Sequence, residues 1–356
     1  MSSMNIITGI DALLVTNPTN VRYLTGFVGA APDEREAYYL LTKSHAYLFT
    51  NTLYRQEALK LTSFKRLNLL GTKGLSIVEI SREEPFAKKL AEVLKKGVRL
   101  GFEETDLTVA EYHKIMHVHK NVILVPTKGR IEELRMMKRD DEIENIRIAA
   151  KLTDQCFDFI LGKIEIGVTE TDIAWKIESF IKMRGASLAF SPIVAFGKNS
   201  SMPHYQSSDV SLQSSDLILL DFGARVNDYC SDMTRVIFID KPNDELKRAY
   251  STVLEAQSVA LKNLQNNPDK WAREVIKKAG FPPYPHSLGH GVGLAIHEQP
   301  RPSYKKNVKL RPGMVITVEP GIYMQGSYGI RIEDLVLLKE DGIELLSKSK
   351  REMIIL

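Results

Sequence analysis

The 356-residue chain is 44% hydrophobic and 26% charged, an ordinary soluble globular composition, and its length predicts roughly two domains. A net charge of +4 is too small for a nucleic-acid footprint, which needs basic residues gathered on one face. Nothing approaches ~18 consecutive apolar residues, so neither a transmembrane helix nor a membrane partner is expected.

The chain opens on MSSMNIITGIDALLVTNP, where no basic segment leads into an apolar stretch and Asp11 interrupts what hydrophobicity there is; a signal peptide is not expected. Segments 11–16 (DALLVT), 37–42 (AYYLLT), 46–50 (AYLFT) and 98–104 (VRLGFEE) read as strands from their aliphatic and aromatic content. NVRYLTGF, after the Asn17-Pro18 turn, and TVAEYHKIMH read as helices. Such alternation predicts an α/β domain with helices packed on a sheet. His113 and His117 stand four apart on the second helix, but no carboxylate or third histidine joins them and His119 points elsewhere. They read as surface histidines near a helix end. The Pro, Gly and charge shift of VPTKGRIEEL (125–134) mark a boundary, giving domains of 1–127 and 128–356.

Beyond the boundary, residues 131–164 read as strongly helical, with Ile143, Ile146, Ala150, Thr153, Phe157 and Ile160 on one face. Gly167 is expected to stop this helix, and Thr169 to cap the next, with Asp172 at capping-box spacing. FSPIVAFG, DLILLDFGA and DYCSDMTRVIFI read as strands, followed by helices over about 244–265 and 268–279 and then further strands. Helices grouped between antiparallel-looking strands predict an α+β fold. Cys156 and Cys230 are too few for a disulfide framework or a thiolate metal site, and they accord with a reducing, cytoplasmic location. The basic run RPSYKKNVKLRPG (301–313) reads as a solvated loop.

Five residues of this second half carry the chemistry: Asp221 in LLDFGARVND, Asp232 in YCSDMTRVIF, His290 in HSLGHGVGLAIHEQP, Glu319 in TVEPGIY and Glu333 in GIRIEDLVLL. Asp221 ends the apolar run LILL and is drawn inward, and a turn at 224–228 lets a hairpin bring Asp232 to the same face. A buried carboxylate needs a cation or it protonates. Four of them with one imidazole form an oxygen-rich set whose charge of minus four two divalent ions would offset. Gly289, Gly291 and Gly293 around His290 disfavour a helix and allow close approach of another backbone segment. Arg331, two residues before Glu333, and Thr234, two after Asp232, are placed to orient carboxylates, with ordinary packing as the alternative. Cys230 reads as a small buried thiol.

Competing signatures fail. Asp221-Phe222-Gly223 lacks the other kinase motifs, GHGVG lacks dinucleotide-site spacing, and Arg301 stands where HEQPR would need a zinc-site histidine.

The five blocks, in this order, resemble the pita-bread metallopeptidases, and within them the proline-specific branch of Xaa-Pro dipeptidase (prolidase) and aminopeptidase P. The resemblance runs from about Lys128 to the C-terminus, with DALLVTNPTNVRYLTGF resembling the branch's creatinase-type N-terminal domain more loosely. It implies that Asp221 binds one ion, Asp232 and Glu333 bridge two, and His290 and Glu319 complete the second ion's shell. Such a shell suits Mn²⁺ or Co²⁺, with Fe²⁺ and Zn²⁺ also admissible. It further implies Glu319 as proton shuttle, with His297 on the scissile carbonyl side and His204 at the leaving proline, a satisfied structural histidine being the alternative for each. It also implies Tyr229 and Tyr323 as wall residues near the metals, with a core role as the equal alternative. Expected substrates are Xaa-Pro dipeptides or short peptides with proline second, and a homodimer is the expected assembly. Arg301 matches a position where some prolidases bind the dipeptide carboxylate, with a surface arginine as the alternative; it tilts the expectation toward the dipeptidase over aminopeptidase P. YMQGSYGIRIED lacks the proline often found after EPGIY, so the pocket rim is expected to differ. A metal-free, peptide-binding pita-bread protein is the competing class, and the full ligand set stands against it.

Overall fold

The computed structural model of the chain describes residues 6–30, 34–61, 74–305 and 308–356. Residues 1–5 of the opening segment and Lys306 and Asn307 of the basic run lie outside the described residues. Two compact units divide the chain, Met1–Arg135 and Met136–Leu356.

The first unit runs β1 (Ala12–Val15), α1 (Pro18–Thr25), β2 (Ala37–Thr42), β3 (Ala46–Asn51), α2 (Arg55–Lys60), β4 (Leu75–Ile80), α3 (Phe86–Val93), β5 (Arg99–Glu103), α4 (Val109–Val118), β6 (Ile123–Thr127) and α5 (Arg130–Met136). Its strands form one sheet in the order β4-β3-β2-β1-β5-β6, antiparallel through β1, β2 and β3 and parallel elsewhere. Asn17 caps α1 by accepting from the Asn20 amide, and Thr108 and Glu111 form a capping box on α4. His113 and His117 are exposed, in keeping with a surface role. The division falls after Arg135 rather than at 127/128. Arg130 donates to the Ile6 and Thr8 carbonyls at 2.6 and 3.0 Å, and Arg135 to Asn20 Oδ1 at 2.7 Å, so α5 is tied to the first unit.

The second unit begins with α6 (Asp140–Leu161) and α7 (Glu170–Lys182). The continuous helical pattern of 131–164 is thus broken at 137–139, where the Lys138 amide bonds Gly313 O and its ammonium is buried 3.4 Å from Glu298. The expected apolar face of α6 is buried throughout. The helix ends at Gly162, not Gly167; Gly167 serves the following turn, with φ +93° and its amide on Leu212 O. The Thr169–Asp172 capping box forms as expected.

The remaining elements are β7 (Ser187–Leu188), β8 (Ile193–Phe196), β9 (Leu217–Phe222), β10 (Ala224–Val226), β11 (Tyr229–Cys230), β12 (Met233–Phe238), α8 (Asp244–Lys262), α9 (Pro268–Lys278), β13 (Val315–Val318), β14 (Gly321–Met324), β15 (Tyr328–Arg331), β16 (Asp334–Lys339), β17 (Gly342–Leu345) and β18 (Ile354–Ile355). One sheet has the order β18-β12-β9-β8, another β13-β16-β17, with β14-β15 and β11-β10-β7 beside them. β9 is buried on both faces. Ile218, Leu220 and Phe222 join the core under α6 and α7, whereas Leu217 and Leu219 join the core under α8 and α9. That is why LILL is uninterrupted rather than alternating. Asp221 shares the second face, by the two-residue period of the strand.

Candidate metal centre

β9 and β12 pair antiparallel with Asp221 opposite Thr234, which sets Asp232 two residues along on the same side. The hairpin is closed by β10 and β11 through Asn227 and Asp228, both in left-handed backbone. Close approach at Gly223 is obligatory, because a Cβ there would lie 1.8 Å from Ser231 O. Glu333 stands between β15 and β16 and bridges Thr234 across the hairpin. It shares no continuous strand with Arg331, but both side chains enter the same site.

His290 comes from a segment laid beside β13. The Thr317 amide donates to His290 O at 2.8 Å and the Glu319 amide to Leu288 O at 2.8 Å. A Cβ on Gly289 would sit 2.0 Å from Thr317 O, so glycine there permits the contact with β13; one on Gly291 would sit 2.2 Å from Gln299 O, so glycine there admits the 298–300 backbone. Thr317 Oγ1 accepts from the His290 amide and donates to Glu319 Oε1, both at 3.0 Å, locking two candidate ligands together.

Ligand atoms of Asp232, His290 and Glu333 lie within 4.8 Å of one another. His290 Nε2 is 3.5 Å from Asp232 Oδ2 and 3.4 Å from Glu319 Oε1. Burial lowers its pKa to about 3, and its Nδ1–H donates to Gly291 O at 3.2 Å, leaving a neutral ring with Nε2 free to ligate. Burial, then the neighbouring carboxylates, push Asp232 and Glu333 well above the ordinary carboxylate range. Burial raises Glu319 to about 8. Asp221 Oδ1 and Asp232 Oδ1 are buried without a hydrogen-bond partner. Orphaned carboxylate oxygens around a neutral imidazole are a donor set that a divalent cation fits and water-excluded protein does not otherwise satisfy.

Arg331 is the organiser behind this set. It donates to Asp221 Oδ2 at 2.5 Å, Thr234 Oγ1 at 3.0 Å and the Tyr323 hydroxyl at 2.7 Å. Thr234 in turn donates to Glu333 Oε2 at 2.5 Å. Burial opposes the guanidinium charge, yet Tyr323, Asp221, Glu333 and Glu319 hold its pKa above the ordinary range. Both candidate orienting residues therefore touch candidate ligands, Arg331 on Asp221 and Thr234 on Glu333.

A cavity of about 300 Å³ opens onto the ligands, lined also by Phe190, Ile193, Pro203, His204, His286, Ile296, His297 and Arg301. His297 stacks edge-on against His290 with ring centroids 4.4 Å apart, and burial followed by Arg301 lowers its pKa. Tyr323 stands one layer back, linking Arg331 to His286, whose Nε2 accepts from the Tyr323 hydroxyl at 3.1 Å while Nδ1–H donates to Ser287 O. Tyr229 is not a wall residue: it is buried with its hydroxyl on Glu142 Oε1 at 2.7 Å, facing α6 instead of the cavity. His286 is the site residue that sequence reasoning missed. Its spacing of four from His290 mimics a helical chelate, which Gly289 between them and Gly291 and Gly293 just after exclude. Burial lowers its pKa to about 4.

The cavity and its acidic, imidazole-bearing floor define a metal-dependent hydrolase site. Residues 144–340 match Metallopeptidase family M24, and residues 8–137 match the Creatinase/Prolidase N-terminal domain. The chain belongs to metallopeptidase family M24, with a creatinase-type N-terminal domain before a pita-bread catalytic domain. It is 35% identical over 363 residues to the Xaa-Pro dipeptidase of Pyrococcus furiosus, covering 97% of this chain and 95% of that one. Among solved structures it is similar to an Xaa-Pro dipeptidase from Bacillus anthracis (35% identity, TM-score 0.87) and an X-Pro aminopeptidase from Thermotoga maritima (32%, TM-score 0.86), each covered fully on both sides.

Proposed function

We propose that this chain is a dinuclear-metal Xaa-Pro peptidase, acting by preference on Xaa-Pro dipeptides. The observation that carries this reading is the convergence of the five ligands with His204, His297 and Arg301 in one cavity. Asp221 would hold one ion, His290 and Glu319 the other, and Asp232 and Glu333 both. Mn²⁺ or Co²⁺ suits a set of four carboxylates and one imidazole, with Zn²⁺ or Fe²⁺ less favoured. When bound, the ions supply water activation and Lewis-acid stabilisation of the developing oxyanion.

The protein's own groups do the rest. Glu319 would accept a proton from the attacking water and return it to the departing nitrogen. His297, kept neutral by burial and Arg301, would serve the carbonyl side, and His204, on the same cavity wall, the proline side. A proline imide nitrogen has no hydrogen to offer a peptidase, so proton delivery to that nitrogen matters more than recognition of an N–H. Arg301 at the cavity wall offers a guanidinium for the carboxylate that ends a dipeptide. The dipeptidase and aminopeptidase neighbours are equally similar in fold, so Arg301 is the feature that favours the shorter substrate.

The test is hydrolysis of Xaa-Pro and Xaa-Pro-Yaa peptides with added Mn²⁺ or Co²⁺. Faster turnover of the dipeptide is expected. Inactivity toward both with metal bound would overturn the reading.

A further inference from the structure

Glu170, the first residue of α7, is completely buried yet is not among the cavity-lining residues. Its carboxylate is satisfied by neutral donors. Oε1 accepts from the Phe196 amide at 2.8 Å and Asn199 Nδ2 at 2.9 Å. Oε2 accepts from the Tyr205 hydroxyl at 2.8 Å, the Ser208 amide at 3.0 Å and the Ser208 hydroxyl at 2.9 Å. Asn199 Nδ2 also donates to the Tyr205 hydroxyl at 2.9 Å, closing the cluster. The positive end of α7 favours the negative charge there.

These donors flank His204 on both sides in sequence. The opposite side of the same loop rests on β15: the Gly329 amide donates to Ser200 Oγ at 2.7 Å, and a Cβ on Gly329 would lie 1.9 Å from Ser200 O. His204 is exposed and lines the cavity with Pro203, so the loop backbone decides where its ring stands. Charge-assisted hydrogen bonds are stronger than neutral ones, and five on one carboxylate make a rigid anchor.

We propose that Glu170 is a positioning residue for His204, a latch joining the start of α7 to loop 196–208 and fixing the proline-side wall of the cavity. The proposal rests on the peptidase reading only in taking His204 to face the substrate.

Two variants of the full chain test it. Glu170→Gln keeps the size but turns an NH₂ group toward donors; Tyr205→Phe keeps the carboxylate and removes a single donor. In metal-loaded protein, amide hydrogen exchange of segment 196–208 should rise about tenfold or more in Glu170→Gln and less in Tyr205→Phe. Segments 286–301 and 315–333 should keep wild-type rates. Unchanged exchange in 196–208, or a rise spread over the catalytic unit, overturns the proposal. On Xaa-Pro dipeptides, kcat/KM should fall about 10–100-fold in Glu170→Gln at unchanged metal content. In a His204→Ala background the same substitution should cost less than about twofold, since misplacing an absent ring has no effect. Equal losses in both backgrounds also overturn it. A wild type that exchanges as expected but cleaves no Xaa-Pro bond would sink the peptidase reading and leave the latch intact.

Discussion

Replacing Glu319 by glutamine separates the charge of the ligand set from its shape. Burial raises the Glu319 carboxyl from 4.5 to about 8 in the metal-free protein, with Arg331 opposing and Asp221 adding to the rise. A carboxyl raised on folding keeps a proton that the unfolded chain has already lost. Stability therefore falls as pH climbs from about 4.5 to about 8, and the full cost is present above that window. At ~1.36 kcal/mol per pH unit, the cost is about 5 kcal/mol for this one group. Divalent ions bind the deprotonated form and reverse the effect. In chelator-stripped protein at pH 8.5, Glu319→Gln should thus melt roughly 10–20 °C above wild type in the transition of the catalytic unit. At pH 5 the two should melt within a few degrees of each other. Scanning calorimetry from pH 5 to 8.5, with and without Mn²⁺, measures this, and metal should raise the wild-type Tm more at pH 8.5 than at pH 5. A stripped wild type that grows more stable with rising pH would refute the reasoning.

Arg331→Leu removes the 2.5 Å partner of Asp221 and the contacts to Thr234 and Tyr323. Metal affinity by calorimetric titration should drop roughly 10–100-fold, and wild-type affinity would contradict the orienting role. Arg301→Ala should raise KM for Xaa-Pro dipeptides about 10–100-fold, the loss of a hydrogen bond to a charged group, while Xaa-Pro-Yaa peptides change little. A dipeptide preference that survives the substitution removes Arg301 from substrate selection. Gly289→Ala forces a Cβ to within 2.0 Å of Thr317 O and should destabilise the protein by about 1–3 kcal/mol in urea unfolding. An unchanged midpoint would mean that the His290 segment is not held against β13.

The five candidate ligands were legible because each stands in a short block whose neighbours dictate its direction: LILL drags Asp221 inward, glycines let His290 pass beside β13, and Pro320-Gly321 follows Glu319. The face of α6 and the Thr169 cap were legible for the same local reason. What escaped is tertiary. His286 is set by Arg273, which donates to the His286 carbonyl and stacks on Tyr284 at 4.0 Å, and no local spacing announces that arrangement. Tyr229 adjoins the hairpin in sequence, but a bond to Glu142, 87 residues earlier, takes its hydroxyl away from the cavity. The helix break at 137–139 is hidden by good helix formers, because the competing partners of Lys138 lie at Glu298 and Gly313. Glu170 reads as an unremarkable first-turn acid; its donors arrive from 26 to 38 residues downstream.

The most direct test of the central claim is a metal titration of stripped protein with Xaa-Pro hydrolysis as the readout. Activity should rise until two equivalents of Mn²⁺ or Co²⁺ are bound per chain, and Asp221→Asn should bind fewer than two and lose turnover. Full activity at one equivalent, or two bound equivalents with no Xaa-Pro cleavage, would contradict a dinuclear proline-specific peptidase.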